Sequence, residues 1–241
     1  MRSSTTTARL AGSLRLAWTI VTILVVQIGV CGIATAPVVF VWSHLSTWPE
    51  PEPMRSLVLG LAVVPSYLAF ALALMPVSAL ACRMFGWRSP DAVEMSIAEM
   101  GWPLLGWVRY MVAIHVVRVF AGQLLRGTPV WTAYLRLSGA RIGRRVYVNS
   151  LGLSDYNLLE LGEGVVIGAD VHLAGHTVEA GVVKTMPVRL GRNVTIGVGS
   201  IVDIGVVAGD GCQVGALSLV PKHTTLEPGA VYAGIPVRRI Y

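Results

Sequence analysis

The stretch LGRNVTIGVGSIVDIGVVAGDGCQVGALSLVPKHT, residues 190–224, repeats every six positions. One phase reads Leu190, Ile196, Val202, Ala208, Val214, Val220, and the next position reads Gly191, Gly197, Asp203, Gly209, Gly215, Pro221. Four residues after each aliphatic one stands Val194, Ser200, Val206, Cys212, Ser218 or Thr224. The phase continues upstream through Leu161, Ile167 and Leu173, with Gly162 and Gly168 behind the first two, and begins at Ile142-Gly143 and Val146. Six residues of this kind make one short strand and one sharp corner, and three such sides close a triangular coil of about 18 residues. The aliphatic residues stack inward as a ladder, and glycine reaches corner dihedrals that other residues reach only with strain. A single coil cannot bury its own apolar face, so coils must stack. The expected fold of residues 139–241 is a parallel β-helix. Residues 174–189, AGHTVEAGVVKTMPVR, break the phase. An insertion leaving a regular solenoid is expected to protrude, and such loops often carry function.

Outward from the repeat, the N-terminal half has a different character. Hydrophobic residues make up 54% of the chain and charged ones 13%, with net charge +6; mean hydropathy is +0.66 and the pI about 9.6. This composition points to a membrane protein. Residues 16–42 and 56–82 contain no Asp, Glu, Lys or Arg, and each is long enough to span, since about 20 apolar residues suffice. Pro65 and Pro76 would kink the second run without forbidding a span. Residues 1–88 are expected to be a two-helix transmembrane anchor. Arg2, Arg9 and Arg15 precede the first run, Glu50 and Glu52 lie between the two, and Arg83 and Arg88 follow the second. The positive-inside rule then puts both ends in the cytoplasm, giving a multi-pass protein of the inner membrane whose C-terminal domain is cytoplasmic. The basic balance reads as this topology; no motif for nucleic acid is present. Residues 89–138 are expected to be interfacial amphipathic helices and a linker, with Trp102, Trp107 and Tyr110 near the headgroups, because Arg109, His115 and Arg118 would be costly at mid-bilayer unless paired. A third, re-entrant crossing is the alternative. Cys31, Cys82 and Cys212 show no ligand spacing and read as small apolar filler.

Three motifs in the C-terminal region resemble the hexapeptide-repeat acyltransferases, such as the maltose and galactoside O-acetyltransferases. Gly175-His176 opens the extended loop, PVRLGRNVTIG (residues 187–197) returns the chain to the coil, and AGIPVRRI (residues 233–240) closes it. The resemblance covers about residues 141–241 and implies that the β-helix is left-handed. LRLSGARIGRRVYV, HTVE followed by VVK, and GALSLVPKHTTLEPGAVYAGIP are also similar to the C-terminal membrane region of poly-lysine-synthetase-type nonribosomal peptide synthetases. There, paired membrane helices plus a soluble domain recur in tandem, and this chain looks like one such unit without adenylation or carrier domains. Two positions depart from the sugar acetyltransferases: Thr195 replaces an aromatic residue, and Thr-Val-Glu follows the histidine.

The resemblance implies that His176 is the general base, a task suited to imidazole, whose ordinary pKa is ~6.5. Glu179, three residues on, either orients that ring or is a solvated loop carboxylate. Asn149 and Asp155 lie where the sugar enzymes place acceptor-binding groups, although Asp155 in SDYN equally fits a turn. Gly197, Gly199 and Ala216 match positions that contact the pantetheine arm of a thioester donor, either acyl-coenzyme A or a carrier-protein phosphopantetheine. Lys222, Arg238 and Arg239 could meet its phosphates. His172 reads as structural and His223 as an exposed corner. No metal is expected, because His172 and His176 lack a third histidine nearby. The expected function is transfer of an acyl group to a hydroxyl or amine acceptor by a membrane-anchored homotrimer. An aminoacyl-thioester condensing unit and a non-catalytic trimeric scaffold are the alternatives.

Overall fold

A computed structural model describes residues 2–47 and 51–241, with side chains described from Leu10 onward. The topology expectation drawn from Arg2, Arg9 and Glu50 therefore rests on groups outside the described side chains. Two long helices, Arg2–Ser46 and Glu52–Met84, hold the two uncharged runs. Pro65 and Pro76 both lie inside the second helix without ending it. The segment expected along the interface forms a helix, Trp102–Val117, that runs through a π turn, Arg118–Gly122, to Leu125. By length and composition it is a third helix apolar enough to cross a membrane, with mean hydropathy 1.5 against 2.3 for each of the first two.

The two arginines in that third helix find neutral hydrogen-bond acceptors. Arg109 is buried, and its guanidinium donates to the hydroxyls of Thr19 and Thr22, both at 3.0 Å. Arg118 donates to the Leu153 carbonyl and to the Tyr156 hydroxyl. Hydrogen bonds of this kind offset much of the penalty of removing a cation from water. The far end of the helix meets the second helix, where Tyr67 donates to the Phe120 carbonyl and Phe70 packs edge-on against Phe120. Gly122 lets this helix approach the first coil: a Cβ there would lie 2.9 Å from a Leu151 methyl.

The C-terminal domain is a coil of short parallel strands. Thr195 faces Gln213, Ile201 faces Leu219, and Val207 faces Thr225, each 18 positions apart. The strands form three stacked sides, a six-, a five- and a three-stranded sheet. The ladder residues Leu161, Ile167, Leu173, Leu190, Ile196, Val202, Ala208, Val214 and Val220 are all buried. The fourth-position residues Val194, Ser200, Val206, Cys212 and Ser218 are buried too. Ser200 satisfies its hydroxyl by donating to the Gly215 carbonyl, as an inward polar group must. A short helix, Pro129–Leu137, closes the open end, with Thr128 as its N-cap and Trp131, Tyr134 and Leu135 turned into the core. Such a cap is needed because the terminal coil has no neighbour to cover it. One contiguous cluster of buried residues runs from Val30 and Ala71 through Tyr110 and Trp131 to Leu226, so the helices and the coil share a core, and Met95, Leu104 and Val183 form a second, smaller cluster.

Coil stacking explains one glycine in particular. A Cβ on Gly197 would lie 2.4 Å from the Ala216 nitrogen, closer than van der Waals contact allows. Gly197→Ala is expected to destabilise the detergent-solubilised protein by about 1–3 kcal/mol through overpacking against backbone. Thermal unfolding measures this, and an unchanged midpoint would show that the coils are not in contact there.

Candidate active site

The excursion is an antiparallel hairpin, His176–Glu179 and Val182–Thr185. Its turn, Ala180-Gly181, has positive φ at both residues, 47° and 77°, the geometry that matches hairpin twist. The chain is back on the coil by Val188, which pairs with Leu159, so the departure is narrower than the expected 174–189. A third strand joins from outside: Glu94–Ser96 pairs antiparallel with Val182–Thr185. Thr185 is buried and hydrogen bonds both the Val93 N–H and carbonyl. The hairpin is thus held by the segment that follows the second long helix.

His176 opens the hairpin at a coil corner, directly against Asp155 on the coil before it. Its Nδ1 is 2.5 Å from Asp155 Oδ2. Gly175 permits this approach, since a Cβ there would lie 2.8 Å from the Asp155 Cβ. Asp155 itself takes left-handed dihedrals, φ 50° and ψ 51°, a conformation aspartate tolerates better than most residues. Its carboxylate is fully buried and has two further donors on Oδ1, the Ser89 hydroxyl at 2.5 Å and the Trp107 indole N–H at 3.0 Å. The Trp107 ring also meets the imidazole edge-on at 5.0 Å. With Nδ1 donating to Asp155, the tautomer is fixed and Nε2 is left as a proton acceptor. Among the described residues Nε2 has no hydrogen-bond partner.

Burial by itself would push the Asp155 carboxyl up; the bonds from His176, its positive charge when protonated, and the Ser89 and Ser154 hydroxyls outweigh that and hold the group below the usual carboxylate value. It stays ionised at neutral pH, where a buried anion beside an imidazole stabilises the imidazolium that forms on proton uptake. Partial removal from solvent and the neighbouring His176 and Arg118 push His172 down.

The other residues singled out by sequence fall in different places. Glu179 pairs with Lys222 and fixes the hairpin to a coil corner; the carboxylate on His176 is that of Asp155. Asn149, whose N–H bonds to the Ile167 carbonyl, stands at the foot of a corner column continued by Gly168, Gly197 and Gly215. It lies across the sheet face from His176. Gly199 and Ala216 belong to that same column's corners, and Gly199 has φ 67°. His172 and Ile201 are exposed on the intervening face. Arg239 pairs with Glu227, and Arg238 is exposed at the closing strand. Among the described residues no group of three metal-ligating side chains converges. Sequence reasoning missed Ser89, Trp107 and Ser154 as neighbours of the pair. Ser89 carries no motif, and Trp107 sits in an apolar run that reads as a headgroup anchor. The buried Tyr110, likewise expected near the headgroups, donates to the Ser138 carbonyl.

Comparison with known proteins bears on this coil. No protein-family model matches the chain. It is 35% identical over 120 residues to galactoside O-acetyltransferase of Escherichia coli, covering 46% of this chain and 57% of that protein. It is 27% identical over 148 residues to delta-poly-L-ornithine synthetase of Acinetobacter baumannii, covering 61% of this chain and 11% of the synthetase. Over its C-terminal half this chain is similar to hexapeptide-repeat acyltransferases. Among solved structures, a hexapeptide-repeat acetyltransferase of Vibrio cholerae complexed with acetyl coenzyme A is 21% identical, with TM-score 0.40, covering 43% of this chain and 60% of that one. A galactoside acetyltransferase in complex with coenzyme A is also 21% identical, with TM-score 0.39, covering 54% and 79%. The chain spans a little over half the length of the acetyltransferase and a tenth of the synthetase among its curated relatives.

Proposed function

We propose that the protein is a membrane-anchored acyltransferase that moves an acyl group from a coenzyme A thioester to a hydroxyl or amine. The observation that carries this reading is the pairing of His176 Nδ1 with the buried Asp155 carboxylate, which leaves Nε2 free. In the proposed reaction Nε2 takes the acceptor's proton as its oxygen or nitrogen attacks the thioester carbonyl. The tetrahedral intermediate collapses, the C–S bond breaks, and the leaving thiolate recovers the proton from the imidazolium. Asp155 orients the ring and stabilises its positive charge.

The donor arm would run along the column of Gly197, Gly199 and Ala216, at the edge of the face opposite His176. A single face brings the two together only across a neighbouring coil, so the proposed assembly is a homotrimer of left-handed β-helices. Lys222, Arg238 and Arg239 remain the candidates for donor phosphates, Lys222 only by leaving Glu179. The membrane helices suggest an acceptor that is lipid-linked or exported, with the catalytic domain on the cytoplasmic side. The likeness to the poly-ornithine synthetase favours a second reading, in which the donor is an aminoacyl thioester on a carrier protein and the acceptor an amine.

The test is release of free thiol from acetyl-coenzyme A by the full chain in detergent, against a panel of amines and sugar hydroxyls. Acceptor-dependent release is expected, and none with any acceptor or acyl donor would overturn the reading. Native mass spectrometry in the same detergent should give a trimer; a fully active monomer would exclude the shared groove. An impermeant thiol reagent should leave Arg144→Cys unlabelled in intact cells, and labelling there would reverse the orientation.

A further inference from the structure

We propose that Ser89 and Trp107, both outside the β-helix, are positioning residues that tune the His176–Asp155 pair, so that the site is complete only when the membrane-proximal segment is docked. The inference deepens the acyl-transfer reading and rests on the same pair, but it concerns the control of that pair.

Three observations converge on the segment from Ser89 to Trp107. First, both donors to Asp155 Oδ1 come from it: Ser89 at the exit of the second helix, and Trp107 one turn into the third. The carboxylate is fully buried, so no water replaces a lost donor. Second, Asn157 on the coil locks the same exit, accepting from the Ser89 N–H at 3.1 Å and donating to the Ser89 carbonyl at 2.8 Å. The Ser89 hydroxyl is therefore aimed at Asp155 by two backbone bonds. Third, the strand Glu94–Ser96 continues the hairpin that carries His176. One segment thus holds both partners, the carboxylate through its side chains and the imidazole through its backbone.

The chemistry sets the direction of the effect. Donors on Oδ1 stabilise the carboxylate most when the imidazole is neutral and the anion is otherwise uncompensated. Removing them makes protonation of the imidazole more favourable, so the pair binds its proton at higher pH. Among the described residues the other charged or titratable groups near the pair are His172, Arg118, Tyr110 and Tyr156; Glu179 and Lys222 on the hairpin neutralise each other. None of these changes in the variants below.

Full-length Ser89→Ala and Trp107→Phe are to be compared with the unaltered chain in detergent. The probe is diethyl pyrocarbonate, with acylation of His176 read by peptide mass spectrometry across pH. Each variant is expected to move the midpoint of His176 modification upward by about half a pH unit or more, a modest shift on the scale of hydrogen-bonding effects. The acid limb of kcat for acetyl-coenzyme A turnover should move with it, while KM changes less than about twofold, because both residues act through Asp155 Oδ1. The thermal midpoint reports folding separately, and Ser89→Ala guards against a Trp107 variant that fails to fold. If both midpoints stay where they are in folded Ser89→Ala protein, the positioning role is wrong even if acyl transfer is confirmed. If the modification midpoint moves in protein that transfers no acyl group, the positioning role stands and the proposed reaction falls.

Discussion

Replacing His176 by alanine is expected to lower acyl transfer by about 10²–10⁴-fold in kcat, the range in which a positioned general base contributes. That corresponds to about 3–5 kcal/mol of transition-state stabilisation. The loss should fall on kcat, since in the proposed reaction the imidazole takes up the acceptor's proton as the bond to the thioester carbon forms. The hairpin should persist, because its second strand is held by Glu94–Ser96 and its far end by the Glu179–Lys222 pair. Asp155 would lose one of its donors but keep Ser89 and Trp107, at a cost of about 1–3 kcal/mol in stability. His176→Asn separates the two effects: its amide can still donate towards Asp155 but supplies no base. Both variants should therefore be inactive, with the asparagine form the more stable. A His176→Ala protein that turns over an identified acceptor at a near-normal rate would remove the residue from the mechanism.

The second large effect is expected of Asp155→Asn, about 10²–10⁴-fold in kcat by a different route. The side chain keeps its shape, and its oxygen can still accept from Ser89 and Trp107. The amide nitrogen then faces His176 Nδ1 in place of the acceptor now 2.5 Å away. To satisfy that contact the imidazole must carry its proton on Nε2, where it can no longer take one from an acceptor. The pH dependence of stability separates this from simple damage. The Asp155 carboxyl lies below its ordinary value in the folded protein. The stability it contributes is thus fully present above the unfolded value, ~3.9, and is lost as pH falls through the folded value. The unaltered chain should lose stability in that acid window, while Asp155→Asn should lose measurably less across it. Equal acid sensitivity would mean that the carboxylate is not ionised in the folded state. Normal kcat in the variant would mean that it does not set the tautomer.

The sequence by itself determined the coil. A six-residue period imposes one strand and one corner at a time, and only stacking buries the resulting ladder, so Leu190, Ile196 and Val202 announce the fold before any contact is known. It also determined where the coil opens: the phase breaks on either side of His176, and Gly175-His176 is a local motif. Two helices long enough to span follow from uncharged runs in the same local way. Tertiary structure alone decided which carboxylate serves His176. Glu179 is three residues away in sequence but faces Lys222, because alternate residues on a strand point to opposite sides. Asp155 is 21 residues away but arrives beside the ring because successive coils stack. It alone decided that Asn149 belongs to the glycine column, and that Ser89 and Trp107 reach the site from the segment between the second and third helices and from the third helix itself. Periodicity is a property of neighbours along the chain, whereas a hydrogen bond between Trp107 and Asp155 joins two elements whose docking no local pattern encodes.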